Sequence, residues 1–178
     1  LCVGRQDYQK AHEIAVLAFS EVAGEFPDSV LWLAGRDGGN SPLVQSAIAQ
    51  SPYRDRILCL GERSDVPDLL TAADAFVMPS RFEGLAGSVI EAMSLEAPLV
   101  LTDIPVFREV ADNRALFFRR DDVAGLAASL RVVATGGYPE GWVEDLRGRA
   151  EQVFDIESVT SELADFYRKN NRNSSPRP

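Results

Sequence analysis

The sequence predicts an α/β fold: a doubly wound parallel sheet of about six strands, with helices packed on both faces. Three observations carry this. Strand-like apolar runs alternate with helix-like segments along most of the 178 residues. Most of the strand runs are continuously apolar rather than alternating, as expected of strands covered on both faces. Finally, turns containing glycine or charged residues follow the strand runs, and such exits gather on the carboxyl edge of an open sheet, where ligands bind.

The strand candidates are residues 1–4, 30–35, 56–60, 75–78, 98–102 and 115–118. Between them, 10–26 places Ile14, Leu17, Ala18 and Val22 at helical spacing. A shorter helix is expected over 43–50. Another, over 66–73, has Pro67 in its first turn and Ser64 or Asp65 as its cap. Helices over 88–95, 106–111 and 123–134 complete the alternation. Gly136-Gly137-Tyr138-Pro139 breaks the chain, and two further helices follow, 142–153 and 156–169. Residues 1–169 read as one domain and the polar, proline-ending 170–178 as a disordered tail. The first strand is only four residues long and opens directly into a sheet, so the chain reads as part of something longer.

A net charge of −9 argues against nucleic acid as a partner, since affinity there comes from neutralising phosphates. Any phosphate site must be local. No apolar run approaches the ~20 residues of a membrane span, and no secretory signal is evident. Cys2 and Cys59 are the only cysteines; they read as small buried hydrophobes in strands, and the setting as cytoplasmic.

Four constellations carry chemistry. Arg5 follows the first strand and Lys10 the start of the next helix. With a helix N-terminus they suit a diphosphate; alternatively they are solvated charges, with Lys10 pairing with Glu13. Gly35-Arg36-Asp37-Gly38-Gly39 is either a close ligand approach or a chain turn, and it does not fit a dinucleotide fingerprint. Gly61-Glu62-Arg63-Ser64-Asp65 is either a nucleobase rest or a helix cap.

Glu83 and Glu91 form the fourth, in the run Pro79-Ser80-Arg81-Phe82-Glu83-Gly84-Leu85-Ala86-Gly87-Ser88-Val89-Ile90-Glu91. If every step between them were helical they would lie ~12 Å apart along the axis. That exceeds the ~5–9.5 Å of glycosidase acid pairs. They better suit two hydroxyl-bearing parts of one extended ligand, with the amides of Leu85, Ala86, Gly87 and Ser88 opening toward an anion. The plainer alternative has Glu83 capping the turn and Glu91 facing solvent. His12, the single histidine, lacks partners for a triad and reads as a helix-surface residue. Asp103, with Pro105 and Arg108-Glu109, either lines the pocket or caps a helix.

Together these loops resemble the nucleotide-sugar-binding, C-terminal half of GT-B glycosyltransferases, in particular retaining glycosyltransferase family four (glycosyl transferases group 1). The resemblance rests on Val3-Gly4-Arg5 with Lys10, Leu33-Ala34-Gly35 with Gly38, Leu60-Gly61, Asp65-Val66-Pro67, Ala72-Ala73-Asp74, and Thr102-Asp103-Ile104-Pro105. Its most specific part is Pro79-Ser80, Glu83-Gly84 and Glu91-Ala92-Met93. It implies one Rossmann-like half of a GT-B fold and a retaining hexosyl transfer from a nucleotide-diphosphate sugar, UDP- or GDP-linked, to an acceptor it does not name. It implies no metal or other cofactor. It assigns Arg5 and Lys10 to the diphosphate, Glu83 to the transferred sugar and Glu91 to the ribose, so Glu83, Arg5 and Lys10 are the catalytic candidates. The donor-contacting candidates are Arg5, Lys10, Gly35, Arg63, Glu83, Gly84, Leu85, Ala86, Gly87 and Glu91.

An N-terminal acceptor domain is expected before this chain and is absent from it. Any peripheral membrane association would come through that half, and the piece alone would be inactive. Two other readings stay open: a GT-B-type nucleotide-binding or interaction module without activity, and a sugar-nucleotide epimerase. Ala11 and Glu96 stand where the family commonly has glycine.

Overall fold

A computed structural model describes residues 1–155 and Thr160. The helix expected over 156–169, with Val159, Leu163, Phe166 and Tyr167 on an unpartnered face, and the tail 170–178 lie outside the described residues.

The strands are β1 (Cys2–Val3), β2 (Leu31–Ala34), β3 (Ile57–Gly61), β4 (Phe76–Met78), β5 (Leu99–Thr102) and β6 (Leu116–Phe118). The helices are α1 (His12–Val22), α2 (Ser41–Gln50), α3 (Val66–Ala72), α4 (Gly87–Ser94), α5 (Pro105–Val110), α6 (Val123–Ala134) and α7 (Trp142–Val153). Among the described residues, the strands and helices from β1 to α7 follow the expected order. All strand pairs are parallel, in two three-stranded sheets ordered β1-β2-β3 and β4-β5-β6. The sheets abut at β1 and β4: the Leu1 amino group donates to Ala75 O at 2.9 Å, and Val77 N–H donates to Leu1 O at 2.8 Å. That pair of bonds is the pattern of a parallel bridge.

The continuous apolar runs explain the two-sided burial. Phe76, Met78, Leu99 and Leu101 face one core, closed by Leu70 of α3, Val89 and Met93 of α4, Phe107 of α5 and Leu146 of α7. Val77 and Val100 face the other, with Val16 and Phe19 of α1, Val44 of α2 and Leu126 of α6. Burying each of these large side chains contributes about 1.5–3 kcal/mol.

Several local expectations are corrected. α1 begins at His12 rather than at residue 10, because Ala11 sits at φ 50°, in the left-handed region, and blocks an earlier start. It ends at Val22, short of 26. Cys2 is buried as expected, but Cys59 is exposed because β3 is an edge strand of its sheet. A 3-10 turn at Arg54–Arg56 was not anticipated. The Asp65 side chain makes no cap bond to α3; its carboxylate pairs with Arg63 instead. Asp122 does cap α6, accepting from Gly125 N–H at 2.9 Å. Among the described residues, no helix is long and apolar enough to cross a membrane.

Candidate functional site

The carboxyl edge of the sheet gathers the loops that follow β1, β2, β4 and β6. Three neighbouring strands leave this edge through glycines, Gly4, Gly35 and Gly61, all at positive φ. Gly35 is the tightest point. Its φ is +147°, and a Cβ there would lie 2.0 Å from the Gly4 carbonyl oxygen. Glycine is required here by backbone-to-backbone approach, so this turn has a structural reason that needs no ligand.

The β1–α1 loop carries Arg5 to Lys10. Arg5 is exposed and ion-pairs with Asp7, whose carboxylate also accepts from Gly39 N–H at 3.1 Å. The Arg5 guanidinium holds the Asp7 carboxyl below the usual carboxylate range. Lys10 is not on α1, since the helix has not yet begun, so the pairing with Glu13 offered as the alternative reading does not form. Instead Lys10 Nζ donates to Glu83 Oε1 at 2.7 Å, and Gln9 Nε2 donates to Glu83 Oε2 at 2.9 Å. Glu83 therefore has a partner for each carboxylate oxygen, and its side chain is only 4% exposed. Two residues called separately from sequence meet at one point, 73 residues apart in the chain.

Glu13 is turned inward to a different cation. It accepts from Arg81 Nη2 at 2.8 Å and from Asn40 Nδ2 at 2.7 Å. Arg81 also donates to Tyr8 O at 2.7 Å and stacks over the Tyr8 ring, 4.1 Å from its centroid. Its Nε lies 2.8 Å from Asp121 Oδ1, an ion-pair contact without hydrogen-bond geometry.

Other candidates stand apart from this cluster. Glu91 is exposed on α4 and, among the described residues, its side chain has no hydrogen-bond or ion-pair partner. Arg63 is tied to Asp65. Asp103 neither caps α5 nor stands free: Arg108 grips it with two bonds, at 2.7 and 2.8 Å. Gly84 and Gly87 are exposed, Leu85 is 79% exposed and Ala86 is buried. α4 opens at Gly87 with no side-chain cap, leaving its first amides to an external acceptor.

His12 is corrected most sharply. It is 2% exposed, not on the surface. Burial first, and the Lys10 charge second, push its pKa down to about 4. Its Nδ1 is one of four buried side-chain polar atoms without a hydrogen-bond partner among the described residues. The others are Gln6 Oε1, Ser80 Oγ and Arg81 Nε. All four belong to the segments leaving β1 and β4, where the candidate site lies. Unpartnered buried polar atoms are rare in folded proteins, and of these four Arg81 Nε faces a protein group, Asp121 Oδ1.

Gln9, Arg81, Glu13 and Asn40 were not anticipated. Arg81, two residues before Glu83 at the end of a buried strand, was the one legible signal. An apolar cavity of about 460 Å3 lies at the opposite, amino end of the strands, lined by residues such as Phe19, Phe26, Trp32 and Leu130. None of the candidate residues lines it.

Comparison with known proteins agrees with this architecture. The family model described as glycosyl transferases group 1 matches residues 1–136. The lipopolysaccharide core biosynthesis mannosyltransferase LpsB of Rhizobium meliloti is 32% identical over 133 residues, covering 70% of this chain and 38% of that protein. A glycogen synthase of Mycobacterium tuberculosis is 28% identical over 184 residues, covering 99% of this chain and 44% of that one. The chain thus spans less than half the length of these curated relatives. Among solved structures, a glycosyltransferase from Rickettsia africae superposes with a TM-score of 0.85 at 18% identity, over 97% of this chain and 48% of that one. Anabaena Alr3699/HepE, solved in complex with UDP, gives 0.83 at 18%, over 94% and 48%. At such identities the likeness shows the fold.

Proposed function

The chain belongs to the glycosyl transferases group 1 family, and from that premise we propose that it is the donor-binding half of a retaining GT-B glycosyltransferase. Its substrate would be a nucleotide-diphosphate hexose. The observation that carries this reading is the Lys10–Glu83 pair at the carboxyl edge of the sheet. A cation for the diphosphate and a carboxylate for a sugar hydroxyl lie side by side, where open α/β sheets bind ligands. The UDP bound by Alr3699/HepE, a protein of the same fold, supports a nucleotide donor.

In this reading Arg5 and Lys10 meet the diphosphate, aided by the uncapped amides at the start of α4. Glu83 accepts from a hydroxyl of the transferred sugar. Glu91, whose exposed side chain has no partner among the described residues, takes the ribose hydroxyls. When the bond between the sugar's anomeric carbon and the diphosphate breaks, negative charge builds on the leaving oxygen, and Arg5 and Lys10 stabilise it without a metal. The acceptor oxygen bonds the anomeric carbon on the same face, and its proton passes to the departing phosphate. The acceptor would come with the portion of the relatives that this chain does not span.

Calorimetric titration of the chain with UDP, GDP and ADP tests the reading. Binding of one of them, lost on Lys10→Ala, is the expected result. A folded chain that binds none of the three would sink it.

A further inference from the structure

We propose that Arg81 is a positioning residue of this site: through Glu13 it locks the glutamate turn onto the β1–α1 loop, and so holds Lys10 against Glu83. Its consequence for donor binding rests on the reading above; its geometry does not.

Arg81 sits two residues before Glu83, and its side chain is 11% exposed. Every direction of its fork is used. One terminal nitrogen reaches Glu13 on α1, whose side chain is 5% exposed, and the other reaches the Tyr8 carbonyl. The Nε faces Asp121 in the β6–α6 loop, and the guanidinium plane covers the Tyr8 ring. Its own backbone N–H donates to Gln9 O at 2.8 Å. Tyr8 and Gln9 are the two residues immediately before Lys10. Arg81 is thus bonded on both sides of the short segment that aims Gln9 and Lys10 at Glu83. The guanidinium thus ties the glutamate turn to the β1–α1 loop, to α1 and to the β6–α6 loop, and Glu13 extends the brace to Asn40, in the turn after β2.

Arg81 is not placed to touch a ligand, because its polar atoms already face protein groups. A merely structural ion pair would hold elements together without caring about direction. Here direction is the point. A lysine would keep the charge but supply one rotating ammonium in place of a planar fork, and it could not address Glu13, Tyr8 and Asp121 together.

The test starts on the unliganded chain. A lysine ammonium gives a resolvable proton–nitrogen NMR signal only where a held hydrogen bond slows exchange with water. The Lys10 signal, assigned by its disappearance in Lys10→Arg, is expected in the wild type and lost in Arg81→Lys. It should persist in Arg131→Lys, which loosens a distant surface pair with Glu25. Should Arg81→Lys fail to fold, Glu13→Ala removes the acceptor of Arg81 Nη2, breaks the same link from the helix side and is read the same way. A Lys10 signal absent from the wild type, or undiminished in the folded Arg81 or Glu13 variant, overturns the proposal.

Calorimetry with UDP-glucose and GDP-mannose then reads the consequence. Arg81→Lys is expected to weaken the bound sugar nucleotide about tenfold, with that loss largely vanishing in a Glu83→Gln background, since one residue acts through the other. Losses that simply multiply would overturn the proposal. Failure of the wild type to bind any sugar nucleotide would sink the donor reading alone, and the ammonium signal would still decide the role of Arg81.

Discussion

His12 gives the sharpest test of the buried edge, because the chain has no other histidine. Its imidazole is 2% exposed, its Nδ1 has no partner among the described residues, and its pKa is lowered from 6.5 to about 4, by burial first and by Lys10 second. Between those two values the unfolded chain binds a proton that the folded chain refuses. Stability therefore rises with pH across this window. The contribution is complete above pH 6.5 and is lost as pH falls toward 4. A gap of 2.5 units at ~1.36 kcal/mol each amounts to about 3 kcal/mol. The perturbation is His12→Leu, which removes the titration and, among the described residues, sacrifices no side-chain hydrogen bond. At pH 7.5 the variant is expected to match or exceed the wild type, since it removes an unpartnered buried polar atom. On acidification the variant's advantage should grow by about 3 kcal/mol by pH 4. Urea unfolding followed by circular dichroism at pH 7.5, 6, 5 and 4 measures both proteins. Comparing them cancels the other titrating groups, among them the Leu1 amino group, whose pKa burial lowers, and Asp7 and Asp103, whose arginine partners hold their carboxyls low. Two stability curves that stay parallel from pH 6.5 to 4 would refute the buried, neutral imidazole.

The remaining predictions separate residues that the sequence treats alike. Glu83→Gln should cost about 2 kcal/mol in urea unfolding, because it strips the charge partner from a largely buried Lys10. Glu91→Gln, on an exposed carboxylate without a partner among the described residues, should stay within about 0.5 kcal/mol. Both should weaken sugar-nucleotide binding in calorimetry. Gly35→Ala should destabilise by about 3 kcal/mol or more, because its Cβ would meet the Gly4 carbonyl at 2.0 Å on a backbone at φ +147°. A thermal shift of only a degree or two would contradict that. Arg56→Lys should cost about 2 kcal/mol in chemical denaturation. The Arg56 guanidinium donates to the carbonyls of Ala23, Phe26, Pro27 and Ser29 just past α1 and lies over Tyr53, a set no ammonium can satisfy.

The fold was legible because the strands are apolar on both sides. Phe76-Val77-Met78 sends alternate residues into two different cores, so the run is continuously hydrophobic and cannot be mistaken for a half-exposed strand. The limits of α6 and α7 were legible too: Asp122 is a side-chain cap, and the glycine break separates the two helices. Where sequence reasoning failed, the cause was a backbone state or a long-range partner. Ala11 in the left-handed region takes Lys10 off the helix, which rules out the alternative pairing with Glu13, and His12 lies in the interior rather than on the helix surface. No periodicity signals that, although Ala11 had been noted as standing where glycine is common. Glu83 was expected at the site, but its partners Gln9 and Lys10 lie 74 and 73 residues away. Only the parallel arrangement of β1 beside β4 brings those loops together.

The same arrangement bears on how an acidic chain would admit an anion. Without ligand, both candidate phosphate cations already have carboxylate partners: Arg5 has Asp7, and Lys10 has Glu83. These pairs differ in kind. Arg5 and Asp7 are 53% and 28% exposed, so their bond contributes little and can be exchanged for a phosphate oxygen at low cost. The Lys10–Glu83 bond is far more enclosed, and breaking it would leave a carboxylate that is only 4% exposed without its cation. It need not break. An ammonium has three donors, and Lys10 uses one on Glu83. The other two remain for a diphosphate arriving at the uncapped start of α4. In the proposed reading Lys10 stays on Glu83 and bridges it to the phosphate, while Arg5 changes partner. Raising the salt concentration should accordingly weaken nucleotide binding mainly through Arg5. Arg5→Ala is expected to flatten the salt dependence measured by calorimetry, and Lys10→Ala to abolish binding at every salt concentration. An equal, partial loss from both variants would mean that the two cations act as interchangeable surface charges, and the bridging role of Lys10 would have to be abandoned.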